Sequence, residues 1–326
     1  MKIFRKKSNA VQAVWVVLPL AFFPLLDRNA YHLDLAVTVG IYVLLAMGLN
    51  VAVGFTGLLN LGYAAFFAIG AYTYALLNLN FHVPFWAGLP LAGLAAALFG
   101  LIIGLPSIRV RGDYLAITTL GFGEIVRIAF NNLDQWTGGP NGLLGIARPE
   151  FFGFKFSVNA QPYFYLVLVL IFFTAFFLFK LSESKIGRAL MAIREDELAA
   201  GCMGVPTLRI KLYAFGLSAF IAGVAGSVFA AKQTIVTPDS FDFVLSVLIL
   251  AMVVLGGMGN IWGAALGAVC LGVLPELLRD FAAYRMLLFG LVMILMMVLR
   301  PQGLLGSQAI RREMRREAGE DANAAS

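Results

Sequence analysis

The sequence predicts an all-α fold, a polytopic membrane helical bundle of about ten transmembrane helices with both termini in the cytoplasm. Of its 326 residues, 60% are hydrophobic and 13% are charged, and the mean hydropathy is +0.86. A soluble fold of this length could not hide so much apolar surface. No Asp, Glu, Lys or Arg occurs from residue 35 to residue 108, which leaves room for several helices of about 20 residues. The alternating strands typical of membrane barrels are absent.

Further charge-free runs cover residues 156–179, 212–231 and 243–275. The predicted spans are residues 10–26, 33–53, 58–79, 84–105, 113–130, 162–181, 209–231, 243–256, 261–278 and 284–299. The first has span length and no small-x-small cleavage site follows it, so it is interpreted as a helix and not as a signal peptide. The eighth and ninth spans are interrupted by glycines, and a re-entrant pair or one broken helix is an alternative.

The basic residues predict the orientation, because Lys and Arg are retained on the cytoplasmic side of a membrane. Counting from a cytoplasmic amino terminus places four basic clusters inside, namely residues 2–7, Arg109 with Arg111, residues 182–208 and residues 311–316. The predicted organisation is a cytoplasmic segment at 1–9, a permease domain at 10–306 and a polar cytoplasmic tail at 307–326. Anionic lipid facing these loops accounts for the net charge of +6, so no nucleic-acid partner is expected.

Small residues recur at four-residue spacing in the fourth and seventh predicted spans, and such spacing lets helix backbones approach closely in lipid. The two series are Gly88, Ala92, Ala96, Gly100, Gly104 and Ala219, Gly223, Ser227, Ala231. Tight packing alone explains them. The alternative is that these faces slide or rock during transport.

Three groups of residues are candidates for a translocation path or gate. Glu124 and Arg127 lie three apart inside a span, where each charge is costly, so they form either a structural pair or part of a wet interior. The following outer loop contains Thr137, Gly138 and Gly139, which suit a close approach to a ligand but are also ordinary turn residues. Gly256, Gly257 and Gly259 lie at a predicted helix break, and they are path candidates because backbone groups freed at such breaks line a cavity in many transporters.

Several absences narrow the function. No G-x-x-x-x-G-K-[ST] phosphate loop, H-E-x-x-H motif or nucleophile elbow occurs, so the chain is not expected to be an enzyme or to bind ATP by that route. Cys202 and Cys270 predict no disulfide, and His32 and His82 predict no metal site. An energy source for active transport is therefore expected on another polypeptide. A secondary transporter or channel acting alone is the rival hypothesis.

One polar segment, residues 182–207, separates two long apolar runs. Apolar residues at helical spacing predict an amphipathic helix over 184–194. Asp196 is predicted to cap a short helix from Glu197 to Met203, which Gly204 ends in a left-handed turn, and Thr207 is predicted to cap the next span. A short helix with both ends fixed in this way suits docking on a cytosolic partner. An ordinary solvated loop is the alternative. The candidate coupling residues are Arg194, Glu195, Asp196, Glu197, Ala199, Ala200 and Gly204.

Five motifs in order resemble the LivM-type permease subunits of branched-chain amino acid ABC importers. They are GFTGLLNLGYAAFFAIGAY (54–72), GDYLAITTLGFGEIVRIAFNN (112–132), TGGPNGL (137–143), GRALMAIREDELAAGCMGV (187–205) and GGMGNIWGAALGA (256–268). The first motif contains Asn60 and Gly62, two further path candidates. The A-A-x-x-x-G pattern at Ala199, Ala200 and Gly204 resembles the loop that docks on the ATPase. The I-x-L-P usual in other permease groups is missing, because Ala214 and Gly216 occupy its place.

The resemblance implies a permease subunit in the bacterial inner membrane that transports leucine, isoleucine or valine. It implies three kinds of partner: a second, LivH-type permease, two cytosolic ABC ATPases and a periplasmic substrate-binding protein. Membrane lipid is a further expected partner, from the composition and the basic loops. No cofactor is expected on this chain, because ATP and Mg²⁺ would bind the ATPases. Related systems carry urea, short amides, other amino acids or, in the ribose-type permeases, a sugar, so these cargoes remain alternatives.

Overall fold

A computed structural model describes residues 29–107, 110, 112–151, 154–156, 160–277, 290, 294 and 303–305. The helices in this part of the chain are α1 (Ala30–Asn50), α2 (Tyr63–Phe81), α3 (Phe85–Ser107), α4 (Asp113–Asn132), α5 (Asp134–Thr137), α6 (Ala160–Glu183), α7 (Lys185–Glu195), α8 (Glu197–Cys202), α9 (Thr207–Gln233), α10 (Phe243–Gly256) and α11 (Ile261–Leu277). A π-helical turn, Val51–Phe55, extends α1. Two short antiparallel pairs join β1 (Leu143–Leu144) to β4 (Ile235–Val236) and β2 (Glu150–Phe151) to β3 (Phe154–Lys155).

The helical membrane bundle predicted from composition is confirmed. In the described residues, six helical segments are long and apolar enough to cross a bilayer: Ala30–Phe55, Tyr63–Phe81, Phe85–Ser107, Ala160–Glu183, Thr207–Gln233 and Pro238–Gly256. The predicted first span lies outside the described residues, as do the segment 1–9, the tail 307–326 and nearly all of the tenth span. Helix α4 is not among the six, although it has 20 residues, because Glu124 and Arg127 lower its hydropathy.

Helix α1 forms the centre of the bundle. The Asn29 side chain accepts a hydrogen bond from the Tyr31 amide at 3.1 Å and caps its first turn. Its second half is apolar on every face, and Leu44, Leu45 and Met47 have no exposed surface. A helix that is hydrophobic all round is expected inside a bundle and not at its edge.

Helices α3 and α9 pack through the two predicted series of small residues. A Cβ added at Gly223 would lie 2.5 Å from the Ala96 Cβ, and one at Gly100 would lie 2.6 Å from the Ala219 Cβ. Backbones this close gain many van der Waals contacts, which drive helix association where no hydrophobic force acts. The predicted close approach of these two helices is therefore confirmed, and sliding of the faces during transport stays a hypothesis.

The predicted span over 58–79 is wrong at its start, because residues 57–62 are not helical and α2 begins at Tyr63. Side chains satisfy the backbone amides that a helix would have paired. Thr119 Oγ1 accepts from the Leu61 amide at 3.0 Å, and Ser246 Oγ accepts from the Ala64 amide at 2.9 Å. Non-helical backbone is tolerated in a membrane domain when it is buried in protein in this way.

The interrupted spans form two helices joined by a glycine turn. Asp242 caps α10 by accepting from the Leu245 amide at 2.8 Å, and Gly257 ends it at a φ of +110°. Its 14 residues are about 21 Å long, shorter than a hydrocarbon core of about 30 Å. A 3₁₀ turn, Pro238–Phe241, precedes it and lengthens the segment. Helix α11 then returns alongside α10, so the pair is a hairpin.

Candidate functional site

The polar segment folds as two consecutive helices, as its sequence predicts. Ser184 caps α7 by accepting from the Gly187 amide at 3.1 Å. Leu190 and Ile193 are buried, while Arg188 is exposed, so α7 is amphipathic and lies with its apolar face on the bundle. This orientation holds the segment against the ends of the membrane helices.

Helix α8 is short but capped at both ends. Asp196 Oδ1 accepts from the amides of Leu198 at 2.8 Å and Ala199 at 3.0 Å. Gly204 adopts a φ of +82°, and the Val205 amide closes the last turn by donating to the Ala200 carbonyl at 3.1 Å. The predicted cap and stop are confirmed, although the helix ends at Cys202 and not at Met203. Thr207 is the first residue of α9 and no side chain caps that helix, so its predicted capping role is wrong.

Helix α8 presents an apolar outer surface. Leu198 is 65% exposed and Met203 is 85% exposed, and Glu195, Ala199 and Gly204 are exposed beside them. Ala200, in contrast, is only 5% exposed and faces the bundle. The two alanines of the A-A-x-x-x-G pattern therefore differ in their surroundings, because Ala199 is exposed to solvent and Ala200 is buried against the bundle.

An ion pair ties α8 to the next membrane helix. Lys211 Nζ lies 2.6 Å from Glu197 Oε1, and only 4% of the lysine side chain is exposed, against 30% of the glutamate. A buried charge needs such a partner, because its desolvation is otherwise uncompensated. Lys211 was not identified from the sequence. Its position inside a predicted span was the available signal, since ionisable residues in membrane helices usually have a specific partner.

Arg194 points away from the exposed surface of the polar segment and into the bundle. Its Nη1 donates to the Gly54 carbonyl oxygen, in the π turn after α1, at 2.5 Å. The Gly259 amide, in the turn between α10 and α11, donates to Asn50 Oδ1 at 2.9 Å. A Cβ at Gly259 would lie 2.8 Å from Arg194 Nη1 and 3.1 Å from the Gly54 oxygen. We call Arg194, Gly54, Asn50 and Gly259 the arginine junction.

The glycines predicted at the helix break belong to this end of the bundle. Gly256 packs directly on the backbone of Gly263, and Gly257 lies against Gly303. The structure thus brings the predicted break together with one of the predicted coupling residues. Asn50 and Gly54 were not identified from the sequence, because a buried asparagine and a glycine in an apolar span have no distinctive local pattern.

Glu124 and Arg127 form the predicted pair, away from the arginine junction. Arg127 Nε lies 3.0 Å from Glu124 Oε2, and Arg127 Nη1 lies 3.5 Å from Asp239 Oδ1. About a third of each side chain of the pair is exposed, so the pair contributes less than about 1 kcal/mol to stability. Glu124 also lines a small pocket with Gly123 and Ser246. The pocket has a volume of about 10 Å³, which is room for roughly one water molecule and much less than a small-molecule site needs.

Asn60 and Gly62 lie in the non-helical stretch beside this pocket. Asn60 is 1% exposed, and its Oδ1 accepts from the Gly62 amide at 3.0 Å. Its Nδ2 has no hydrogen-bond partner among the described residues. Gly62 packs on the backbone of α4 at Thr119, where a side chain would clash with the carbonyl oxygen. The two residues therefore join the start of α2 to the helix that carries Glu124.

Thr137 is the last residue of α5, and Gly138 and Gly139 form a tight turn after it. The buried Thr137 hydroxyl donates toward the Leu133 carbonyl at 2.9 Å, and both glycines have positive φ. A Cβ at Gly138 would clash with the Gly142 carbonyl. Local backbone geometry accounts for all three residues without a ligand.

The chain is similar to known permease proteins along most of its length. A family model described as the permease component of branched-chain amino acid transport systems matches residues 31–298. The high-affinity branched-chain amino acid transport system permease protein LivM of Escherichia coli K12 is 46% identical over 321 residues, covering 92% of this chain and 75% of that protein. The LivM protein of Salmonella typhimurium is 47% identical over 312 residues, covering 89% and 73%. The LivH permease protein of Escherichia coli K12 is 24% identical over 291 residues, covering 83% and 93%.

No solved structure matches the chain. The family model covers most of its length, and the two LivM relatives match it along about nine-tenths of its residues. The resemblance indicated by the five sequence motifs is confirmed. This chain belongs to the family of permease components of branched-chain amino acid transport systems.

Proposed function

We propose that the chain is the transmembrane permease subunit of an ATP-driven importer for leucine, isoleucine and valine, which a periplasmic binding protein delivers. The named activity of the LivM relatives supports the cargo. The observation that supports an ATP-driven mechanism is helix α8, which is capped and exposes the apolar side chain of Leu198 beyond the membrane helices. Two cytosolic ATPases would bind ATP and Mg²⁺, and a LivH-type permease would complete the pair, so this chain itself is not an enzyme.

Docking on an ATPase explains the composition of α8. Leu198 and Met203 offer apolar contact area, with Glu195 and Asp196 as an acidic rim. Apolar anchors in the centre of an interface and polar groups at its rim are typical of protein complexes. A short helix with both ends capped loses little entropy on docking, so the contact can transmit force to α7 and α9.

The proposed topology has about ten spans in the inner membrane, both termini in the cytoplasm, and the polar segment on the cytoplasmic side. The boundaries at residues 1–9, 10–306 and 307–326 belong to this proposal. Cys202, exposed on α8, is a natural probe of the orientation once Cys270 is replaced by serine. A membrane-impermeant thiol reagent should label Cys202 in inside-out vesicles and not in intact cells.

The same cysteine tests docking. In the Cys270→Ser chain, Cys202 should react freely without the ATPases and be protected when the complete complex is assembled. Affinity purification from membranes should recover two ATPases and a second permease. Full reactivity of Cys202 in the complete complex would contradict docking through α8. Transport by the purified chain alone would instead favour a channel or secondary transporter.

Uptake by the complete complex identifies the cargo. We expect unlabelled leucine, isoleucine and valine to compete with radiolabelled leucine, and urea, short amides and ribose not to compete. If only urea or ribose competed, the chain would still be part of an ATP-driven importer, but its substrate would be urea or a sugar.

We propose that the translocation path passes the pocket beside Glu124, Arg127, Asn60 and Gly62, and that Gly256, Gly257 and Gly259 form a hinge. Thr137, Gly138 and Gly139 would shape the outer mouth.

Glu124→Gln keeps a hydrogen-bond acceptor for Arg127 while removing the charge, so assembly should be normal and uptake reduced. Asp113→Asn, an exposed carboxylate on the same helix, is the matched control. Normal uptake by the Glu124 variant would place this pair outside the path.

A further inference from the structure

The arginine junction connects three separate parts of the chain at one point. Arg194 lies in the last turn of α7, Gly54 and Asn50 lie at the end of α1, and Gly259 lies between α10 and α11. The hydrogen bond from Arg194 to Gly54 links residues that are 140 positions apart. Any displacement of α7 must therefore stretch this bond or move the end of the central helix.

We propose that Arg194 is a positioning residue that transmits movement of the polar segment to the π turn of α1 and to the α10–α11 turn. It does not act as a docking contact for the ATPase. The inference rests on the proposed function and deepens it, because it separates the surface that receives the movement, on α8, from the residue that passes it into the membrane domain.

The direction of the Arg194 side chain supports this separation. Leu198 and Met203 are largely exposed, whereas Arg194 is half-buried and bonded to the bundle. A guanidinium is always protonated and holds several donors in one plane, so its bond to a carbonyl is directional as well as charge-assisted. Such a contact resists rotation of α7 relative to α1 better than an apolar contact would.

The π turn is the element that we expect to change between the two states of the permease. Single π turns inside α-helices are frequently found at functional sites, because a small shift in register exchanges one set of backbone hydrogen bonds for another. Here the Gly54 carbonyl accepts from a side chain, and the Leu58 amide reaches back to the Ala52 carbonyl at 3.1 Å. Gly54 must be glycine, since a Cβ would overlap Asn50 Oδ1.

Asn50 carries a buried donor that a second arrangement of this turn would satisfy. Its side chain has no exposed surface, and its Nδ2 has no hydrogen-bond partner among the described residues. A buried donor without a partner is costly, and such groups in native structures usually have a functional reason. We therefore expect Asn50 to contribute to coupling together with Arg194.

The test compares transport with ATP hydrolysis in the complete complex reconstituted in liposomes. Arg194→Gln should leave assembly and ATP hydrolysis within about twofold of the unmodified complex. It should raise the ATP hydrolysed per leucine transported by about tenfold, within the 5- to 150-fold range usual for coupling between sites. Arg194→Lys, which keeps a charged donor, should recover most of the coupling.

Arg188→Gln is the matched control. Arg188 lies on the same helix and donates to the Glu183 carbonyl of its own segment at 3.0 Å, so its loss should not change the coupling ratio. Asn50→Ala provides an independent variant at the junction and should also raise the ATP used per leucine. If the Arg194 variant fails to assemble, the ATP used per leucine by the Asn50→Ala variant tests whether the arginine junction contributes to coupling.

Two results would overturn the inference. One is an unchanged ratio of ATP to leucine in Arg194→Gln, and the other is a parallel loss of hydrolysis and transport that lysine does not rescue. Failure of the proposed function has a different signature, because the unmodified complex would then lack the ATPases or move no leucine.

Discussion

The ion pair between Glu197 and Lys211 allows the attachment of α8 to be tested quantitatively. Replacing Glu197 by alanine leaves the Lys211 ammonium, with 4% of its side chain exposed, without the carboxylate at 2.6 Å. Removing one partner of a fully buried pair costs about 3–5 kcal/mol. Because 30% of Glu197 is exposed, water already weakens this pair, and we expect a loss of about 2 kcal/mol.

This loss should appear as local opening of α8 and not as global unfolding. A free energy of about 2 kcal/mol corresponds to roughly a 30-fold change in an opening equilibrium. Amide hydrogen exchange at Ala200 and Met203, whose amides donate within α8, measures it directly. We expect faster exchange by about that factor in Glu197→Ala, with unchanged exchange in the centre of α9.

The double-mutant cycle separates the buried charge from the contact itself. Lys211→Met removes the buried ammonium and leaves a partly solvated carboxylate, so it should cost less than about 1 kcal/mol. Adding Glu197→Ala to Lys211→Met should then change little, which is strong non-additivity. Equal protection of α8 in Glu197→Ala and the unmodified chain, or additive effects of the two changes, would refute the reasoning.

Further predictions follow from local contacts. Asp196→Ala removes the cap of α8 and should destabilise that helix by about 1 kcal/mol, measured by proteolysis within the polar segment, with the neighbouring Glu195→Ala as an unaffected control. Gly223→Leu would force side-chain atoms into Ala96 on α3 and should lower the yield of folded protein in detergent. Gly121→Ala is its control, since a Cβ there meets no atom within 4 Å; an equal loss of yield would contradict close packing as the cause.

Local signals predicted the polar segment well. Asp196, Gly204 and the apolar residues of α7 act through backbone groups within a few positions, so capping and helical periodicity identified both helices. Hydropathy did not predict that residues 57–62, before α2, are non-helical. The amides at residues 61 and 64 bond to Thr119 and Ser246, which are distant in sequence, so the late start of α2 had no local signal.

The sequence by itself determined that the chain is a helical membrane protein, which family it resembles, and where the polar segment begins and ends. These properties depend on summed hydropathy, ordered motifs and contacts between near neighbours. Only the tertiary structure decided that Arg194 faces the π turn, that Glu197 pairs with Lys211 and that Ala200 is buried while Ala199 is exposed. Such contacts depend on how helices are placed against one another, because backbone carbonyls and buried amides are alike in sequence until packing selects their partners.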